Sequence, residues 1–153
     1  MIYIMIAAGI CIAEILLKGK AEKELKEGVQ RRCRRLPVIL EKHHNYGFAG
    51  NKMEEKPAAV KWTGTIIMAV VVICFFLLLP VKGRKGLKTG AALLFGGGLS
   101  NLTDRFVRGY VVDYFRIRTP FPKVNWFIFN LADFCLFTGA VIVLLASFWK
   151  DEV

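Results

Sequence analysis

The sequence predicts an all-α membrane protein with four transmembrane helices and a small extracytoplasmic region of loop or β-like structure. Three observations support this fold class. The chain of 153 residues is 55% hydrophobic, and its mean hydropathy is +0.45. Long apolar runs recur along it, and most charged residues lie between those runs. A chain of this length has room for one domain, so we expect residues 1–153 to form a single membrane-embedded unit.

The first two predicted helices cover residues 1–17 and 62–80. Residues 1–17 are interrupted only by Glu14 and lack the basic start and the cleavage site of a signal peptide, so we expect a retained helix. Residues 62–80 are nineteen residues without a charge, enough to span a hydrocarbon core of roughly 30 Å.

Residues 18–61, between these helices, are predicted to form a charged loop. They hold twelve of the 22 basic residues and six of the 12 acidic residues. Within this loop, Lys20 to Arg35 is interpreted either as a helix lying on a membrane surface or as a solvated stretch. His43 and His44 point apart on any regular element, so a shared metal is not expected and a solvated loop is favoured.

The third and fourth predicted helices cover residues 86–102 and 127–149. The third is glycine-rich, and its run Gly96–Gly98 is typical of close packing between membrane helices. The fourth contains one charge, Asp133. Spanning segments are expected to be helical because lipid offers no partner to a free backbone group.

Four acidic residues remain once the charged loop and the C-terminal tail are set aside. Each lies within or beside an apolar run: Glu14, Asp104, Asp113 and Asp133. A charged side chain at the centre of a bilayer costs roughly 2.5–3.5 kcal/mol on insertion scales, so it is retained where it is paired or functional. An ion pair or a hydrogen bond between packed helices is the alternative for each residue taken alone.

Two of these acids follow an asparagine by three residues, as Asn101 precedes Asp104 and Asn130 precedes Asp133. On a helix this spacing puts both side chains on one face, where the amide can orient the carboxylate. Residues 110–115 are aromatic and β-branched, which favours a short extended segment. If the last two helices are antiparallel, three acids meet at one end of the bundle: Asp104, Asp113 and Asp133.

Two carboxylates held close together in a poorly solvated site do not ionise independently. One keeps its proton, and the two titrations are coupled. The ionised carboxylate can take a proton from water while the protonated one donates to a carbonyl oxygen, as in aspartic proteases. The sequence contains no GxSxG and no HExxH, and no GK[ST] follows Gly96–Gly98. Acid-pair chemistry is therefore favoured, with no metal or cofactor expected.

The C-terminal half resembles the lipoprotein signal peptidase (signal peptidase II) family. The resemblance lies in GGGLSNLTDR at residues 96–105, GYVVDY at 109–114 and WFIFNLAD at 126–133, which follow the order and spacing of the family. That combination is specific, whereas a single Asn-x-x-Asp is weak. Residues 45–49, Asn-Tyr-Gly-Phe-Ala, are similar to the Asn-x-Gly-Ala-Ala of the family.

The resemblance implies four helices and a peptidase that cuts a lipid-modified precursor just before a diacylglyceryl-cysteine. In the family the catalytic pair is the Asp of Val-Val-Asp and the Asp of Asn-x-Ala-Asp, which here are Asp113 and Asp133. Other positions are implied to contact the substrate or to support the site. These are Asn45, Gly47, Asn101, Asp104, Arg105, Asn130, Glu14 and Lys18.

Three positions depart from the family pattern and bear on substrate recognition. Glu14 stands where the family has Asp, Phe48 where it has Ala, and Ser100 where it has Gly. Two other functions therefore stay open: a non-catalytic membrane paralogue that binds lipidated peptides, and a small proton or ion transporter. A transporter predicts acids spread through the depth of the bilayer, whereas here they cluster towards one face.

The expected partners are lipid-modified precursors and membrane lipids. The net charge of +10 lies between apolar runs, which favours anionic lipid headgroups over nucleic acid. The four cysteines are scattered without metal or disulfide spacing. We expect a monomer in the cytoplasmic (inner) membrane of a bacterium, with the active site near the extracytoplasmic face.

The distribution of basic residues conflicts with that orientation. The family topology puts the first and third connections outside, yet they carry twelve and five basic residues, against four in the second. Basic residues are normally enriched in cytoplasmic loops. The order and spacing of the motifs outweigh this count in our prediction.

Overall fold

The computed structural model describes residues 1–33, 36–48, 52–122 and 124–148. Within these ranges the chain forms four long helices, which are α1 (Ile2–Glu24), α2 (Pro57–Leu78), α3 (Lys85–Val107) and α4 (Leu131–Phe148). Three strands form one antiparallel sheet in the order β1 (Arg31–Arg32), β2 (Val38–Asn45) and β3 (Val111–Ile117). A short 3-10 helix, Val124–Trp126, precedes α4.

Helix α3 lies at the centre and packs against each of the three other helices. The run Gly96–Gly98 makes this close approach possible, because each glycine faces a different neighbour. A Cβ on the first would lie 2.6 Å from the backbone oxygen of Ala7 in α1, on the second 2.9 Å from that of Ala132 in α4, and on the third 2.7 Å from Sδ of Met68 in α2. The predicted close helix packing is confirmed.

Three helices of the described part of the chain are long and apolar enough to cross a membrane. The mean hydropathy of an 18-residue window is 1.9 in α1, 2.2 in α2 and 2.2 in α4. Helix α3 matches α1 in length, at 23 residues, but it is more polar, in keeping with its central place among the others. The predicted fold class is confirmed in its coarser form, a mostly helical protein with candidate membrane spans and a small sheet.

The charged segment 18–61 is more ordered than the predicted loop. Helix α1 continues past residue 17 to Glu24, because Lys18 and Ala21 are buried against the rest of the molecule. Lys20 to Arg35 is neither a separate surface helix nor one solvated stretch, since it contains the end of α1 and strand β1, while Arg34 and Arg35 lie outside the described residues. Pro57 begins α2 earlier than predicted, at a helix position where its missing N–H costs nothing.

Strand β2 pairs with β3 from Val38 opposite Ile117 to Asn45 opposite Val111, with an irregularity between Leu40 and His43. The extended segment predicted over residues 110–115 is confirmed as β3, whose first three residues are buried. The sheet therefore brings the end of β2 beside the start of β3.

The predicted fourth helix begins later than expected. Residues 127–130 precede α4, and Phe129 pairs with Phe115 of β3 through backbone hydrogen bonds of 2.7 and 3.0 Å. These bonds hold Phe129 in an extended bridge, so α4 starts at Leu131. Trp149, the predicted last residue of this helix, lies outside the described residues.

Candidate active site

Asp113 lies on β3 and is almost completely buried, with 3% of its surface exposed. Its carboxylate accepts hydrogen bonds from Nδ2 of Asn130 at 2.6 Å and from Nδ2 of Asn45 at 3.1 Å. Burial, reinforced by the nearby carboxylate of Asp133, raises the pKa of Asp113 to about 7. This carboxyl can therefore hold a proton near neutral pH.

Asp133 lies in the first turn of α4 and forms a reciprocal cap with Asn130. The backbone N–H of Asn130 donates to Oδ2 of Asp133 at 3.0 Å, and the backbone N–H of Asp133 donates to Oδ1 of Asn130 at 3.0 Å. This is the geometry of a capping box. The prediction that Asn130 and Asp133 share a helix face is wrong, because Asn130 precedes the helix and caps it.

The two aspartates meet through this asparagine. Asn130 is fully buried, its side-chain amide donates to Asp113, and its backbone amide donates to Asp133. Nδ2 of Asn101 in α3 also donates to Oδ1 of Asp133 at 3.4 Å. Asn101 thus orients Asp133, which lies on a neighbouring helix. The spacing had predicted that Asn101 would orient Asp104, which lies on the same helix as Asn101.

Asp104 is at the same end of the bundle but is fully engaged in structural contacts. Its carboxylate pairs with Lys18 at 3.0 Å and with Arg108, and it accepts the backbone N–H of Val112 at 3.2 Å. Lys18 also donates to Oδ1 of Asn101 at 2.6 Å. The predicted meeting of Asp104, Asp113 and Asp133 at one end is confirmed, with Asp104 fastening α1, α3 and β3 together.

Arg105 and Gly47 join α3 to the turn that follows β2. Nη2 of Arg105 donates to the backbone oxygen of Gly47 at 2.8 Å, and the backbone N–H of Gly47 donates to Oδ1 of Asn45 at 3.0 Å. The amide of Asn45 is thereby held with its oxygen towards the turn and its nitrogen towards Asp113. Ala49, the last residue of this motif, lies outside the described residues.

A cavity of about 380 Å³ opens beside the two aspartates. Five of the predicted site residues line it, and they are Asn45, Asn101, Arg105, Asp113 and Asp133. The rest of its wall is apolar and comes from α2, α3, α4 and the segment before α4, including Ile67, Met68, Leu94, Phe127 and Leu136. The cavity can therefore place an apolar chain next to two carboxyl groups.

Comparison with known proteins identifies the family to which this chain belongs. The model of the family described as signal peptidase (SPase) II matches residues 6–149. The chain belongs to the signal peptidase II family. The match extends over both halves of the chain and includes Asn45, Asp113 and Asp133.

Individual relatives agree with this assignment. A lipoprotein signal peptidase of Vibrio vulnificus is 28% identical over 98% of this chain and 90% of the relative. One of Mesorhizobium japonicum is 40% identical over 59% of this chain, an alignment that spans 55% of that relative. A solved bacterial membrane enzyme is similar in fold with a TM-score of 0.77 at 25% identity, covering 99% of this chain and 93% of the other.

Sequence reasoning missed two contacts near the site. His44 does not lie in a solvated loop, because it is on β2, its Nε2 is 3.1 Å from Oε2 of Glu22, and its ring stacks on Tyr110 with centroids 4.0 Å apart. Tyr114 was assigned no role, yet its hydroxyl contacts Glu14. Alternation along β3 gives a partial signal, since it puts Tyr114 on the sheet face opposite Asp113. Among the described residues, no group of three or more His, Cys, Asp or Glu side chains is placed to hold a metal ion.

Proposed function

We propose that this protein is a membrane aspartic endopeptidase that cleaves the signal peptide of a diacylglyceryl-modified prolipoprotein just before the lipidated cysteine. The observation that carries the proposal is the pair of aspartates, one buried and one half-buried, that are hydrogen-bonded to one asparagine beside an apolar cavity. Membership of the signal peptidase II family and the names of the relatives support the same substrate class.

In the proposed reaction, Asp133 is the ionised member of the pair and Asp113 carries the shared proton. Asp133 accepts donors from Asn130 and Asn101 and lies in the first turn of α4, where the helix dipole favours negative charge. Burial and the neighbouring charge favour the protonated form of Asp113. The two carboxyls thus take the roles of general base and general acid.

The proposed chemistry uses one water molecule and no covalent intermediate. Asp133 takes a proton from water as the water oxygen attacks the scissile carbonyl carbon, and Asp113 donates its proton to the carbonyl oxygen. The tetrahedral intermediate collapses when Asp133 returns a proton to the leaving nitrogen and the C–N bond breaks. Asp113 then regains its proton from the new carboxyl group. Asn45 and Asn130 hold Asp113 in place through these steps.

The substrate is proposed to enter from the lipid phase. The apolar wall of the cavity, which includes Ile67, Met68 and Leu136, suits a signal helix and acyl chains. Arg105 lines the polar end, where it can face backbone carbonyls or the glyceryl ester of the modified cysteine. Binding energy would then come from apolar contacts, while the aspartates supply the chemistry.

The proposed setting is the cytoplasmic membrane of a bacterium, with α3 as a fourth spanning helix inside the other three and the active site near the extracytoplasmic face. We propose a monomer, since the described chain forms the site from its own residues. Labelling of Cys33, the residue after β1, with a membrane-impermeant maleimide in intact cells tests the orientation. Labelling before lysis is expected, and labelling only after lysis would support the inverted orientation that the basic residues favour.

Cleavage by purified protein in proteoliposomes tests the function directly. The substrates are two synthetic precursor peptides of one sequence, with and without a diacylglyceryl group on the cysteine. We expect mass spectrometry to show cleavage of the lipidated peptide at the bond before the cysteine and little cleavage of the other. Absence of cleavage of the lipidated peptide, or equal cleavage of both, would refute the proposal.

A further inference from the structure

The hydroxyl of Tyr114 bridges α1 and the beginning of α4. It donates to Oε2 of Glu14 at 3.0 Å and accepts the backbone N–H of Leu131 at 3.2 Å. The direction follows from the donors, because a backbone N–H can only donate and a tyrosine hydroxyl carries one proton. The chain of bonds therefore runs from Leu131 through Tyr114 to Glu14, which is completely buried.

This bridge acts on the part of α4 that carries Asp133. The first N–H groups of a helix have no acceptor within the helix. In α4 the N–H of Leu131 is taken by Tyr114 and the N–H of Asp133 by Asn130. The start of the helix is thereby fixed from two sides, by a residue of β3 and by its own cap.

The same residue also belongs to the strand that carries Asp113. Tyr114 follows Asp113 directly, and successive side chains of a strand point to opposite faces. The backbone N–H of Tyr114 donates to the carbonyl oxygen of Phe129 at 2.9 Å, which ties β3 to the segment leading into α4. Backbone and hydroxyl of this one residue therefore both link the strand of Asp113 to the helix of Asp133.

We propose that Tyr114, with Glu14 as its acceptor, is a positioning residue that sets the separation of the two aspartates, an inference that rests on the proposed function for its effect on rate. Tyr114 is not among the described residues that line the cavity. Its hydroxyl therefore acts on the backbone of α4, through the N–H of Leu131, and not on the substrate. Removing the hydroxyl releases the N–H of Leu131 and lets the first turn of α4 move relative to β3.

Tyr114→Phe tests this by deleting one oxygen atom. We expect kcat to fall roughly 10- to 100-fold, as misplacement of reacting groups does elsewhere, while KM stays within a factor of about two. Tyr110→Phe is the matched control, because the contacts of Tyr110 are ring contacts with His44 and Tyr46. A kcat like that of Tyr110→Phe, or a loss confined to KM, would overturn the inference.

Glu14 supplies the second arm of the test. Glu14→Gln keeps an oxygen that accepts the hydroxyl proton and is expected to keep most of kcat. Glu14→Leu should lower kcat at least as far as Tyr114→Phe, because Glu14 also contacts the backbone of Ala132 in α4. Combining Tyr114→Phe with Glu14→Leu should lower kcat no further than Glu14→Leu alone. Losses that multiply would show that the two residues act separately, and this would overturn the inference that Glu14 acts through Tyr114.

Amide hydrogen exchange over residues 127–136 gives a readout that does not depend on cleavage. We expect faster exchange in this segment for Tyr114→Phe than for the wild type or Tyr110→Phe. If the wild type does not cleave a lipidated peptide, the proposed function fails, and exchange still decides whether Tyr114 fixes the start of α4. Unchanged exchange in Tyr114→Phe would overturn the inference in either case.

Discussion

The two halves of α3 hold the molecule together by different means. In the N-terminal half, Gly90 faces Gly139 of α4 so closely that a Cβ on either would lie 2.8 Å from the backbone oxygen of the other. In the C-terminal half, Asn101, Asp104 and Arg105 hydrogen-bond to α4, to α1 and to the turn after β2. Packing from Gly90 through Gly98 depends on missing side chains, and the contacts from Asn101 onward depend on polar ones.

This difference separates stability from chemistry along one helix. Between membrane helices, small residues allow backbones to approach, and packing supplies much of the association energy. Polar side chains buried in such an interior must be paired, because an unpaired one is costly. We therefore expect substitutions of the packed glycines to act on stability, and isosteric changes of the polar residues at the end of α3 to act on the geometry of the aspartates.

The largest expected effect is loss of cleavage when either aspartate is replaced by asparagine. Asp113→Asn and Asp133→Asn each remove a proton-transfer group while keeping the shape of the side chain, so activity should fall by roughly 10²- to 10⁴-fold. Cleavage of the lipidated precursor peptide in proteoliposomes measures the rate, and thermal unfolding confirms that the fold persists. Processing retained by either variant would remove that residue from the catalytic pair.

The next largest effect tests the packing of the glycines of α3. Gly90→Ala puts a methyl group against the backbone of α4 and should lower the free energy of unfolding by about 1–3 kcal/mol, the usual cost of overpacking. Gly9→Ala is the control, because a Cβ there meets nothing within 4 Å. Denaturant unfolding in mixed micelles gives both values. Equal stabilities of the two variants would contradict the assigned role of the glycines.

A smaller effect is the dependence of cleavage on pH. The pKa of Asp113 is raised to about 7, so the protonated acid is present below that pH and is lost as the pH rises through it. For a single titration, kcat/KM should fall about fivefold from pH 7 to pH 8. A peptide without titrating groups in this range is the substrate. A flat profile across this interval would show that Asp113 is not the proton donor.

The helices were predictable from sequence because long apolar runs have few alternatives in a membrane. The meeting of Asp113 and Asp133 also followed, since a short strand between antiparallel α3 and α4 returns the chain to the same end. Strand β2 was not predictable, because five consecutive polar residues, from Glu41 to Asn45, hide any alternation.

Contacts between distant parts of the chain could not be predicted from local sequence patterns. Tyr114 and Glu14 are 100 residues apart, so no spacing rule connects them. The role of Asn130 as a cap depends on where α4 begins, and the backbone pairing of Phe129 with β3 decides that. The resemblance to the family pointed to Asn45, but its hydrogen bond to Asp113 required the structure.

The most direct test of the account is the coupling between the two aspartates. Isotope-edited infrared spectroscopy of protein with ¹³C-labelled aspartate can follow the protonated carboxyl band of Asp113, identified by its loss in Asp113→Asn. The account predicts a titration midpoint near pH 7 in the wild type and a lower midpoint in Asp133→Asn, where the neighbouring negative charge is gone. An identical midpoint in the two proteins would contradict a shared proton.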